Sequence, residues 1–262
     1  MHERSLFVEN QPPMALTALL VATLICITWS LWIRRLTWGC RWEVAATLNI
    51  ALQGGAVILM SPAASQTIGH WLHRCTGEWN LEDYIGHDLY IVAASAVVYN
   101  ALGRLDPEER LQQNFKQYVE RPATICIPLL LALFSIGNGV KIYMPDFFDV
   151  PTDLWLNMYW LLLCGILTYL LGYGIRALSI LREDPRSRRI ANIYLLACWC
   201  GIMACIVRVV TAFAPPLQDI DWTTNFVWGF ACLCGAGFAL TSAHSWMQKM
   251  RGFQKLLHGV KA

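Results

Sequence analysis

Asp88 and Arg208 are ionisable side chains set inside long, otherwise apolar stretches. A charge at mid-span costs roughly 2.5–3.5 kcal/mol on insertion scales, so such residues turn to the protein interior and seek a partner. Asp88 falls about one helical turn into the third stretch, and Arg208 about a turn and a half before the end of the sixth, at similar depth. Asn157, Asn225 and Lys141 fall in the same layer. Two chemistries fit this pattern. One is a small polar vestibule that receives an anionic or zwitterionic solute on Arg208; the other is an ion pair that locks the third and sixth helices together.

A second constellation surrounds the start of the third stretch. His70 and His73 are three apart and share a helical face, and His87 lies where it could complete a zinc site. A metal-assisted hydrolase is the reaction class such a site would serve. The spacing matches no specific metal motif, and histidines are ordinary at a water–headgroup boundary. Ten cysteines give no secreted disulfide framework, since Cys75 alone falls in a loop on its side of the membrane. In Cys198-x-Cys200 and Cys232-x-Cys234, residues two apart point about 200° apart on a helix, so neither pair chelates one ion alone. No catalytic residue is assigned and no cofactor is expected.

The elements that must position these side chains are membrane helices. The chain is 56% hydrophobic and only 15% charged, against roughly a quarter charged in soluble domains. Seven stretches, 14–33, 44–63, 85–102, 123–143, 154–175, 190–213 and 225–245, are each about long enough to cross the bilayer as a helix. They are too long for barrel strands and lack their alternation. The fold class is therefore all-α, a polytopic seven-transmembrane-helix bundle over 14–245. Segment 1–13 is expected outside, with no signal-peptide features. Residues 246–262 form a basic amphipathic tail, and a further amphipathic helix is expected over 106–120, N-capped by Asp106. No extramembrane segment is long enough for an attached soluble domain, and no phosphate-binding glycine loop is present. Ala197, Gly201 and Cys205, and Ala231, Gly235, Ala239 and Ala243, recur at four-residue spacing and mark close helix packing. Asn49, Gln53, Asn100 and Asn138 can hydrogen-bond across helices, and the lack of an acid at mid-span argues against a proton-coupled carrier.

Lys and Arg divide sixteen to three between the two sides of these spans. By the positive-inside rule the N-terminus is outside and the C-terminus cytoplasmic, in a bacterial-type cytoplasmic membrane. The basic loops and tail are expected to meet anionic inner-leaflet lipid. Other expected partners are the bilayer and a small polar or anionic solute, with no nucleic acid; the chain allows a homo-oligomer.

Seven spans with an external N-terminus match the architecture of G-protein-coupled receptors and microbial rhodopsins. The residues do not follow: span seven has no Lys for retinal, and span three ends Tyr99-Asn100-Ala101-Leu102-Gly103-Arg104. Over 32–213, the basic first connection, Ser61-Pro62-Ala63, Asn80-Leu81 and Gly86-His87 resemble a poorly characterised actinobacterial and mycobacteriophage family of seven-helix membrane proteins. Some of its members are labelled transporters, and many carry a cytoplasmic extension beyond the part matched. The resemblance implies the seven-helix fold and carries no established activity. The leading expectation is thus solute binding or transport through an outward polar vestibule. A non-enzymatic sensor or interaction protein acting through the basic loops, and the membrane-embedded metal hydrolase, are the alternatives.

Overall fold

A computed structural model describes residues 14–41, 43–105, 107–214, 217 and 221–259, with backbone only at 221 and 253–259. The described residues are helical, without strands. The helices are α1 (Met14–Ile33), α2 (Val44–Leu59), α3 (Pro62–Thr76), α4 (Leu81–Leu102), α5 (Glu108–Ile136), α6 (Leu154–Leu181), α7 (Arg188–Phe213) and α8 (Asp221–Gly259). Six of them, α1 and α4 to α8, are long and apolar enough to cross a membrane, and α2 with α3 makes a seventh if that bent pair is one span. Apolar side chains such as Ile25, Ile125, Leu196, Ile206 and Leu233 cover the outer surface, as expected of helices facing lipid.

Local sequence sets the ends. Ser61 Oγ accepts the Ala64 amide at 3.3 Å and Pro62 starts the next helix, so the expected second span bends by 59° instead of running straight to residue 63. Gly77, with φ 82°, ends α3. Asp153 Oδ1 caps α6 by accepting the Leu156 amide at 2.9 Å. Inside α5, Pro122 has no N–H for the Tyr118 carbonyl four residues back, beside a π turn at Lys116–Glu120. The Tyr169 hydroxyl of α6 donates to that carbonyl at 2.8 Å.

Neighbouring helices close a ring: α1, α2, α4, α6, α7, α8 and back to α1, with α5 outside it against α6 and α4. Small residues permit this closeness. A Cβ at Gly201 would stand 2.7 Å from Leu171 Cδ1 and 3.1 Å from Cys234 Sγ, and one at Gly235 would stand 3.1 Å from Gln53 Oε1. The helix expected over 106–120 runs unbroken into the next span, and its described N-cap is Pro107; Asp106 lies outside the described residues. The expected tail helix continues α8 to Gly259, with Val260 onward outside the described residues.

The basic end of the bundle, where the Lys- and Arg-rich connections gather, is tied by Arg34. This side chain is 1% exposed. Its Nε donates to Thr47 Oγ1 at 3.0 Å, Nη1 to the Ser242 carbonyl at 3.1 Å, and Nη2 to the Glu43 carbonyl and carboxylate at 3.1 and 2.9 Å. Lys249 pairs with the other Glu43 oxygen. Burial alone would raise the Glu43 carboxyl, but Lys249 and Arg34 hold it below its usual range. One guanidinium thereby joins α1, α2 and α8.

Candidate functional site

The opposite end is closed by the connection between α5 and α6. Span four was expected to reach Tyr143, yet α5 stops at Ile136, and the apolar residues beyond it fold back onto the protein instead of entering lipid. The Asn80 amide, on a residue with φ 56°, donates to the Gly139 and Ile142 carbonyls at 2.7 and 2.8 Å. Phe147 and Phe148 are buried in the bundle mouth. Asp146 holds them there: its Oδ1 accepts the Phe148 amide at 3.0 Å and its Oδ2 accepts Trp228 Nε1 at 2.8 Å. Burial first, then Asp149, pushes the Asp146 carboxyl up to about 6, against the opposing pull of those two hydrogen bonds and of Arg208.

Arg208 meets this plug from below. It is 3% exposed, and its Nη1 donates to the Phe148 carbonyl at 3.0 Å. The guanidinium carbon lies 4.0 Å from the Trp160 ring centroid and 5.4 Å from that of Phe148, two cation–π contacts on adjoining sides that partly replace hydration. Nε and Nη2 are buried without a protein partner. Both belong to a side chain lining a cavity of about 110 Å³ in the middle of the helix ring.

Three more buried polar atoms on lining residues lack partners: Trp160 Nε1, Tyr90 Oη and His87 Nε2. His87 Nδ1 shares a 2.7 Å hydrogen bond with the Tyr159 hydroxyl, fixing the ring among Phe147, Tyr159 and Trp160. Apart from Gln53, the rest of the wall is apolar or thiol, including Leu163, Leu167, Ala204, Val227 and Cys205. A cation beside the Trp160 indole in a largely apolar chamber suits a small anion with an apolar body.

The structure separates the residues that the sequence grouped. Asp88 makes no ion pair with Arg208; its carboxyl lies against Tyr84 and near Cys126, toward α5. His87 and Asp88 are adjacent and so point about 100° apart, one into the ring and one out of it. Lys141 is in the connection, where Nζ donates to the Ile136 carbonyl at 2.7 Å and caps α5. Asn225 is exposed on α8, and Asn157 is half-buried one turn before Trp160. Nor do the histidines gather: His73 stacks on Trp79 with centroids 3.5 Å apart, and His70 meets Trp79 and Tyr143 edge-on. Among the described residues no three of His, Cys, Asp and Glu are placed to hold a metal ion, and His70, His73 and His87 pack against aromatic rings instead. The Asn49–Gln53 bond, 2.7 Å, forms within α2 and not across helices.

Sequence reasoning missed Asp146, Phe148, Trp160 and Tyr90. Asp146-Phe147-Phe148-Asp149, an aromatic pair between acids in a connection, was an available sign of a plug. Trp160 lies near the end of its stretch, where a tryptophan reads as an interfacial residue, and Tyr90 carries no sequence signal of its role. No family model, curated protein or solved structure matches the chain.

Proposed function

We propose that this is a multi-pass protein of a bacterial-type cytoplasmic membrane, N-terminus outside and C-terminus cytoplasmic, that binds a small anion inside its helix bundle in a transport-like role. The sixteen-to-three division of basic residues supports the orientation. The observation that carries the binding reading is Arg208, a buried cation with two nitrogens unpartnered beside an apolar cavity. Such a charge costs several kcal/mol of desolvation unless something completes its shell. A short-chain carboxylate or sulfonate does so, placing its oxygens on Nε, Nη2 and Trp160 Nε1 and its carbons among the apolar residues below. The cavity, about 110 Å³ against the roughly 150 Å³ that holds benzene, limits such a ligand to a short chain.

Ethanesulfonate is a suitable probe because it remains charged at all working pH values. In detergent, it is expected to change the fluorescence of the cavity tryptophans saturably, while its neutral analogue ethanesulfonamide does not. Arg208→Gln should abolish the response while the protein still folds. If C2 to C5 carboxylates, sulfonates and halides all leave the wild type unchanged, water suffices to satisfy Arg208. The residue is then a clamp for Phe148, and the binding reading fails.

A further inference from the structure

The basic end contains a second cavity, of about 210 Å³. Arg104, just beyond α4, Arg186, just before α7, and Lys249 on α8, the last already paired with Glu43, bring cations from three separate elements to its wall, and no Asp or Glu lines it. Basic residues at this end are expected from membrane topology alone. Topology does not explain their convergence on a concavity that the Ser242 and Tyr194 side chains also line.

The two cavities are adjacent. Val97 of α4 and Phe238 of α8 line both, so these side chains stand between them. Phe238 is 1% exposed and packs on Tyr194, which lines the basic cavity, at 5.5 Å between centroids. Beside this apolar partition is a polar link. Gln53 lines the Arg208 cavity, Asn49 lines the basic one, and Gln53 Nε2 donates to Asn49 Oδ1 at 2.7 Å.

The geometry points to a second anion site at the basic end, in series with the Arg208 cavity, the two forming one path with Val97 and Phe238 as its gate. This inference rests on the anion reading of Arg208. The ligand is the same small monoanion in both stations. At Arg208 it is dehydrated and held by few donors; at the basic end it is met by a wider, more polar mouth whose cations raise its local concentration.

The full chain in proteoliposomes, with radiolabelled ethanesulfonate, tests the series arrangement, because this probe has no neutral form to leak through lipid. Wild type is expected to take it up. Arg104→Gln with Arg186→Gln should slow uptake at least tenfold, the factor that roughly one charge-assisted hydrogen bond is worth, while leaving the tryptophan response of the Arg208 cavity unchanged. Phe238→Leu should speed uptake; Val97→Ala gives the same test if that variant does not fold. Ethanesulfonate binding at Arg208 without wild-type uptake overturns the path and leaves the first site standing. Uptake indifferent to both the double substitution and the gate variants also overturns it. Absence of both binding and uptake removes the Arg208 reading, and the path with it.

Discussion

Arg34 and Arg208 are both buried, at opposite ends of the bundle, and are treated in opposite ways. Arg34 has an acceptor on each of its three nitrogens, supplied by α2, α8 and the connection between α1 and α2. Arg208 has one backbone acceptor, two aromatic faces and a cavity. Burial alone therefore does not tell whether an arginine's donors are all taken up by the fold. The discriminating quantity is how much of the guanidinium's hydrogen-bonding capacity the fold itself consumes.

The strongest way to break this contrast is to neutralise each residue. Arg34→Gln leaves the Glu43 carboxylate buried with Lys249 as its remaining partner and should cost about 3–5 kcal/mol, read as a large drop in thermal stability in detergent. Arg34→Lys should not rescue it, because a point charge cannot replace the guanidinium fork. Arg208→Gln should cost about 1 kcal/mol or less, since relief from burying a charge offsets one lost hydrogen bond. Equal losses would show that Arg208 is structural after all.

A smaller effect comes from filling the cavity. Ala231→Leu adds carbon to its wall and should stabilise the unliganded protein by about 0.5–2 kcal/mol, while the ethanesulfonate response disappears. Stabilisation with binding intact would place the anion elsewhere.

The smallest effect is a pH dependence. Asp146, with a carboxyl near 6, is ionised above that pH and competes with a bound anion for Arg208. Ethanesulfonate should therefore bind more tightly as pH falls from 7 to 5, and Asp146→Asn should remove that trend. The stability sign is consistent: a carboxyl raised above its unfolded value stabilises fully below about pH 4 and loses that contribution as pH rises through about 6. Asp149 and Asp83 face the same carboxyl, and Asp149 reinforces its rise.

The helices were largely legible, because hydropathy over some 20 residues reports lipid exposure directly. The boundary near residue 137 was not. Ile142, Met144, Phe147 and Phe148 are apolar because they pack onto the protein, and hydropathy does not distinguish that from lipid. Arg208 stood out as a lone charge. Its surroundings did not, since choosing Asp88 as its partner required depth, which sequence supplies, and azimuth, which it does not. Arg34 was counted among the loop charges that set orientation; its burial depends on carbonyls from Glu43 and Ser242, which no side-chain pattern encodes.

α8 runs 39 residues without a proline, about 58 Å at 1.5 Å per residue, nearly twice the thickness of a bilayer's hydrocarbon core. Along that one rod lie Trp228, tied to the plug, Phe238, between the cavities, and Lys249, paired with Glu43. Its hydrogen-bond ladder has no break at which bending could be absorbed locally. Mechanically it is a push-rod: an axial shift at Trp228 would arrive at Lys249 as the same shift.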